Sequence, residues 1–398
     1  MPIASDLAQR KRNQELKTTD IIIIGAGLQG LSTALHLALR GQSVAVLEKQ
    51  TAGRHASGVN AGGVRRLNRA LPEIPLSLAA QELWQRIESL VDHDCGFKPD
   101  GQIQIAENDA DMAQLEARHQ LVASLGYSHE ELVDRKQLRR LVPAVAHHCV
   151  GALYCRGDGF AEPYLTACAF RDKAKSLGVR IFENHPATAV ERRQGLWRIS
   201  VASRRFEAPV LVNCAGAWGA RVASWIGDEV PLTPTALTMM VTARVDPFLK
   251  PVVGLASRKL SFKQMPNGTV VIGGGHISKL NMTEEKTIID FTKLKLSARA
   301  AQDIFPLMAK VPIVRTWAGI EGVLPDQMPV IGPSPNAPQA YHAFGFSAHG
   351  FQLSPIIGQI LSVLIIDGRS SLPIDAFRPE RFAGQSFSAS ETTDGVAV

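Results

Sequence analysis

Cysteine is scarce and unpatterned: the chain has five, Cys95, Cys149, Cys155, Cys168 and Cys214, with no CxxC spacing. An odd set without CxxC spacing indicates neither a disulfide framework nor a zinc site, and it suits a reducing compartment. Aromatic residues are only 6% of the chain and do not interleave with its scattered basic residues, which makes nucleic acid a poor partner. Charge of one sign is also missing: 43 Lys and Arg against 37 Asp and Glu leave +6, which reads as solvated surface with local anion binding. No apolar stretch occupies Met1 to Lys17, so residues 1–18 are expected to be a mobile extension and no ordinary secretory signal. The most apolar late run, Ile356 to Ile366, is too short to span a bilayer and is interrupted by Gly358 and Gln359. The expectation is a cytoplasmic protein with no transmembrane segment and no metal site.

What the chain does have is length and one strong local pattern. Its 398 residues, 45% hydrophobic, supply a sizeable core and two or three domains' worth of chain. Ile21 to Ile24 reads as a strand buried on both faces, and it runs directly into Gly25-Ala-Gly27-Leu28-Gln29-Gly30. Apolar residues then recur at helical spacing from Leu31 to Leu39, Gly41 ends the helix, and Ser43 to Leu47 forms a second strand closing on Glu48. This is a βαβ unit built for a dinucleotide. Gly25 makes the tight turn, Gly27 admits the pyrophosphate, Gly30 lets helix pack on strand, and Glu48 is placed for the ribose hydroxyls.

Further along, Gly53 to Arg66 is rich in small residues, lacks a helical stripe, and follows the Glu48 strand where backbone amides can line a cofactor. Helical spacing marks 76–91, 109–125, 163–177, 287–304 and 355–367. Strands are expected at 102–106, 179–183, 187–191, 197–201, 210–214, 231–243 and 341–346, with a hairpin turn at Pro266-Asn267-Gly268 and a loop over 317–332. The expected fold is α/β with α+β character: a doubly wound, Rossmann-like domain (19–92, 153–226, 317–383) interrupted by an antiparallel-sheet substrate domain (93–152, 227–316). A Ser/Thr-rich tail (384–398) is expected to be disordered.

Four stretches in order, GAGLQG, ASGVNAGG, VNCAGAWG, and PDQMPVIG followed by GFSAHGFQLSP, resemble the D-amino-acid oxidase-like flavoproteins, the group of glycine and sarcosine oxidases and their heteromeric dehydrogenase relatives. The resemblance spans Asp20 to about Phe382 and implies non-covalently bound FAD and oxidation of a carbon–nitrogen bond. It puts Leu28 and Gln29 at the diphosphate and Glu48 with Lys49 at the adenosine. It runs Arg54, His55, Ser57, Asn60, Ala61, Gly62 and Gly63 along the pyrophosphate and flavin, has the Val190 backbone hold adenine, and leaves Gly216 and Trp218 near the ADP half. His349, Gly350, Phe351, Gln352 and Leu353 face the pyrimidine end of the ring, where a helix N-terminus stabilises charge.

The departures from that family are as informative. Glu321 stands where relatives have a carboxylate-clamping arginine, and Gln352 where sarcosine oxidases have a lysine. The oxygen-activating lysine of those oxidases aligns near Ile272, which leaves the chain without one there. Arg65 aligns with a substrate-carboxylate arginine, with Arg66 in reserve; the bland alternative is a surface cation. Glu321 either recognises a cationic or secondary amine, pairs with Arg65, or is a surface acid. His349 contacts flavin or substrate, or is a satisfied structural histidine. The chain therefore resembles most the flavoprotein subunits of opine and hydroxyproline dehydrogenases. The resemblance implies an amino acid or secondary amine substrate and electron delivery to a second flavoprotein or iron–sulfur subunit. A free-standing oxidase and an electron-relay subunit without its own substrate are the alternatives.

Overall fold

The computed structural model describes residues 17–202 and 204–385. Most of the expected extension and tail lies outside them. Ile21 to Ile24 (β1) is fully embedded, leads through the glycine turn into helix α1 (Leu28–Leu39), and returns as β2 (Val44–Leu47) beside it. The two strands pair in parallel, Ile22 opposite Ala45, with every side chain of both buried. That unit seeds a six-stranded sheet of order Val330–Pro333, Ala340–Phe344, Val210–Asn213, β1, β2, Arg180–Phe182. All neighbours run parallel except the first two, which form a hairpin.

Two helices cover one face. Gly350–Asp367 (α3) packs on α1 and on Ile74–Gln85 (α2), and Trp84 Nε1 donates to the Gln352 carbonyl at 2.8 Å. The α1–α3 crossing is close enough that a Cβ on Gly358 would lie 2.2 Å from Ser32 Oγ. Helix α3 begins five residues before the expected Pro355. That proline sits inside it, and the Phe351 carbonyl that a Pro355 N–H would have met accepts the Ser354 hydroxyl at 2.9 Å instead. At 18 residues α3 is long and apolar enough to cross a membrane, longer than the run read from the sequence, but 67% of it is buried inside the protein, as a core helix is.

The second sheet has eight strands and corrects several expectations. Thr233–Thr242 (β3) pairs along its length with Ile313–Val323 (β5), so the loop expected from residue 317 is the edge strand of this sheet, and the boundary at 317 falls within it. The boundary at 153 likewise cuts the strand Gly151–Cys155. Ser261–Gln264 (β4) and Val270–Gly273 form the hairpin expected around Asn267. The sheet is not wholly antiparallel, because Val252–Leu255 runs parallel to Gln102–Ala106. Lys286–Ile288 is a strand paired with Lys279–Asn281, and the following helix starts only at Phe291, capped by Asp290. A third sheet holds Ala189–Arg193, Leu196–Val201, Arg204–Ala208 and, paired in parallel, Lys17–Thr18, so the extension stops short of residue 17.

Candidate active site

A cleft of about 460 Å³ runs from the carboxyl ends of β1 and β2 to the inner face of β3 and β5. That size suits a cofactor-sized ligand. At one end, α1 opens on Gly27 without any side-chain cap, and its first amide, from Leu28, donates to Ser57 Oγ at 2.9 Å. The N-terminus of α1 therefore faces the cleft with no acidic side chain in its first turn to offset its dipole. Gly25 and Gly30 are required by packing: a Cβ on Gly25 (φ +105°) would meet the Cys214 carbonyl at 2.4 Å, and one on Gly30 would meet the Gly25 carbonyl at 2.0 Å. Glu48 ends β2 with both oxygens engaged, Oε2 accepting from Ala26 N–H at 2.8 Å and Oε1 from Gln50 N–H at 2.9 Å. Burial pushes its pKa up, against those amides.

Lys49 Nζ lies 3.0 Å from the centroid of Trp218, the His55 ring is tilted against the same Trp218 at 4.9 Å between centroids, and Glu285 reaches in from the Lys279–Ile288 hairpin to pair with Lys49 and accept from Gln50 Nε2 at 2.9 Å. Burial, helped by Lys49, drives His55 down to about 4, so it is neutral at pH 7. Glu285 carries no motif and was invisible in the sequence.

Of the expected cofactor residues, all but Gly30, Val190, His349, Gln352 and Leu353 line this cleft. Gly30 instead does its expected packing. Val190 turns its side chain into the core formed with Trp197 and Phe206, and Pro186 to Thr188 reach the cleft in its place. The stretch 56–59, expected to lack helix, makes a single turn whose Val59 carbonyl accepts from Trp317 Nε1 at 2.8 Å, tying it to β5. The residues present fit a flavin dinucleotide: Gln29 Oε1 is buried without a partner, and open space stands where Gly63 and Gly216 would carry a Cβ.

The far end is built on buried charge. Arg65 and Arg69 both line the cleft and are almost wholly buried. Arg65 donates from Nη1 to the Leu67 carbonyl at 2.9 Å; Arg69 donates to the Arg65 carbonyl at 3.1 Å and to Gln352 Oε1 at 3.2 Å, while its Nη1 has no hydrogen-bond partner. Burial, with Arg69 next, lowers Arg65 to about 9. Arg66, the reserve, is committed elsewhere: its Nε and backbone N–H both bond the buried Asp158, at 2.8 and 2.7 Å.

Behind the arginines sits Glu73, fully buried, 3.9 Å from Arg69 Nη1 and 2.8 Å from His349 Nδ1, the latter too oblique to form a hydrogen bond. Burial alone would raise Glu73, but His349, Arg69 and Arg65 outweigh it and hold its carboxyl below the ordinary range. His349 itself is pushed down to about 4 by burial. It thus faces Glu73 rather than the cleft, and Gln352 serves by orienting Arg69. Arg69 and Glu73 were missed because nothing in their local sequence sets them apart from surface charges.

Glu321 projects from β5 into the cleft wall, and burial raises its pKa to about 7 against the pull of the Ala348 amide. Ser347 and Ala348, at φ +48° and +69°, hold the turn before α3 in the left-handed region, which costs about 1 kcal/mol or more each. No lysine aligned at Ile272, but Lys263 on β4 is buried, 4.4 Å from the centroid of Phe160, with its Nζ 3.0 Å from where a Gly62 Cβ would sit. Burial lowers it to about 8. On the hairpin, Lys263 stands opposite Val271, next to the Phe262–Ile272 pair.

A family model described as "FAD dependent oxidoreductase" (DAO) matches residues 20–364. The hydrogen cyanide synthase subunit HcnC of Pseudomonas aeruginosa is 27% identical, with 92% of this chain and 97% of that protein aligned. The sarcosine oxidase subunit beta of Rhizobium meliloti is also 27% identical, over 91% and 88%. Among solved structures, glycine oxidase from Geobacillus kaustophilus superposes with a TM-score of 0.85 at 21% identity, covering 92% of this chain and 100% of that one. L-proline dehydrogenase from P. horikoshii gives 0.85 at 23%, covering 92% and 98%.

Proposed function

This chain belongs to the DAO family of FAD-dependent oxidoreductases, and from that premise we propose that it oxidises the carbon–nitrogen bond of an N-substituted amino acid as the catalytic subunit of a heteromeric dehydrogenase. Its type is that of the amino-acid and sarcosine oxidases and dehydrogenases. The observation that carries the substrate reading is the pair Arg65 and Arg69, two buried guanidinium groups on the cleft wall, with Arg69 Nη1 making no hydrogen bond and only a 3.9 Å ion pair to Glu73. A buried cation with a free donor calls for an anion, and a planar fork suits a carboxylate. Glu73 and Gln352 keep Arg69 aimed from behind, and neutral His349 adds no competing charge.

FAD would be held non-covalently by the α1 N-terminus, Glu48, Lys49 and the 54–63 segment, and when bound it supplies a two-electron oxidant. The protein's share is then orientation: clamping the carboxylate presents one α C–H bond in a pocket walled by Leu237 and Phe346, away from bulk water. Named relatives that are subunits of larger enzymes support the heteromeric reading. We further place the protein in the cytoplasm, where its five free cysteines stay reduced, and cell fractionation tests that placement.

Anaerobic mixing of the FAD-loaded protein with sarcosine, glycine, hydroxyproline and an opine tests the substrate. The flavin's visible absorbance should bleach fastest with a secondary amine bulkier than sarcosine. Faster bleaching by sarcosine than by every bulkier amine would refute that choice. One observation favours a second reading, a free-standing oxidase: buried Lys263 beside Gly62 is a cation of the kind that stabilises superoxide in a low-dielectric pocket. Comparing reoxidation by air with reoxidation by a dye acceptor separates the two.

A further inference from the structure

Glu321 is chemically out of place as a structural acid. Its Oε1 is buried with no hydrogen-bond partner, although the residue lines the cleft. Directly across the strand pair stands Thr235, whose Oγ1 is likewise buried and unpartnered. A buried carboxylate oxygen that lacks a partner is costly unless a ligand satisfies it, and of the two residues it is Glu321 that lines the cleft. The wall around them is shaped for close approach. Leu237 lines the cleft one step along β3, and its cross-strand partner Gly319 carries no side chain, since a Cβ there would strike Val59 at 2.4 Å.

Little else nearby titrates. β3, the 56–59 turn and the Gly216–Trp218 turn bring no ionisable side chain to β5. The turn before α3 brings His349, neutral and directed at Glu73; the segment after Val64 brings Arg65 and Arg69; the Lys286–Ile288 strand brings Lys286, already paired with Glu284 at 3.3 Å. Glu321 is therefore the carboxylate on the substrate wall with a free oxygen.

Resting on the amine-oxidation reading above, we propose that Glu321 accepts the proton of the substrate's ammonium nitrogen and so delivers the neutral amine that can lose hydride. The N–H bond breaks with its electron pair staying on nitrogen, an O–H bond forms on Oε1, and ammonium plus carboxylate become amine plus carboxylic acid. No electrons are exchanged in this step; the family's flavin is the oxidant for the one that follows. A dry cleft favours the transfer, because burial penalises both members of the charged pair and neither member of the neutral one. The substrate class follows: amino acids whose amine is protonated at neutral pH, entering as zwitterions with the carboxylate at the arginines and the ammonium at Glu321.

The test is the pH profile of the second-order rate of anaerobic flavin bleaching, using an amine that passes the screen above. With the wild type the rate should fall tenfold per unit below about pH 7, where Glu321 becomes protonated, and be level above it. Glu321→Gln should lose that level region and use only the free amine. For an amine of pKa about 10 it should be roughly a thousandfold slower at pH 7 and recover tenfold per unit up to pH 9. Glu321→Asp should restore the level region. A Glu321→Gln profile matching the wild type overturns the proposal while leaving the amine-oxidation reading standing; no bleaching by any amine overturns that reading itself. Should Glu321→Gln fail to retain FAD, the wild type alone decides: a substrate analogue whose amine pKa is lowered to about 6 by a fluorinated N-substituent should lose the steep decline just below pH 7. If the decline persists, the proposal is wrong.

Discussion

Replacing Glu73 by Gln tests the charge architecture behind the cleft most directly. Glu73 is fully buried, with Arg69 at 3.9 Å and His349 at 2.8 Å, and its removal leaves Arg65 and Arg69 buried with only the weaker pull of Asp158. At that separation and an effective dielectric of about 20, the Glu73–Arg69 attraction is worth about 4 kcal/mol. Glutamine avoids the desolvation of a carboxylate, which offsets part of this, while Asp158 alone is left to offset the repulsion between the two guanidinium groups. A net loss of about 3 kcal/mol at pH 7 is expected, within the usual range for breaking a buried pair.

The pH dependence has a definite sign. The folded protein holds Glu73 below its ordinary pKa, so its contribution is complete above the unfolded value and fades as pH falls through the lower folded one. Guanidinium unfolding of the wild type and Glu73→Gln should therefore differ strongly at pH 7 and converge in acid. A difference below about 1 kcal/mol at pH 7, or one that does not shrink on acidification, would refute the assignment. Because Arg69 also loses its orienting partner, KM for the substrate should rise.

Gly30→Ala forces a Cβ to within 2.0 Å of the Gly25 carbonyl, a backbone clash that no rotamer relieves; flavin content after purification should fall sharply and unfolding should come earlier by about 2 kcal/mol or more. Lys263→Met tests the acceptor. If oxygen is used, wild-type reoxidation should slow as pH rises through about 8, where the ammonium is lost, and the variant should be slow and pH-independent; equal rates would free Lys263 from that role. Acid precipitation should release all the flavin into the supernatant, and yellow protein in the pellet would show covalent attachment.

The sequence alone determined the dinucleotide unit and, through four small-residue stretches in order, the family. Strand, glycine turn and helix in β1–α1–β2 are dictated by contacts within about thirty residues, and Gly25, Gly30 and Glu48 take up the packing and end-of-strand positions that their spacing implied. Small-residue segments such as 53–63 also announced themselves, because only small side chains let backbone line a cleft.

Tertiary structure alone decided which charged residues work together. Arg69, Glu73, His349 and Gln352 meet because α3 returns across α1 and α2 some 280 residues later, a contact with no local signature. The same long-range packing turned His349 away from the cleft, assigned 317–323 to the second sheet through pairing with β3, and brought Lys263 against Gly62. Such partners are selected by burial, where an unpaired charge costs several kcal/mol, and burial is a property of the assembled chain.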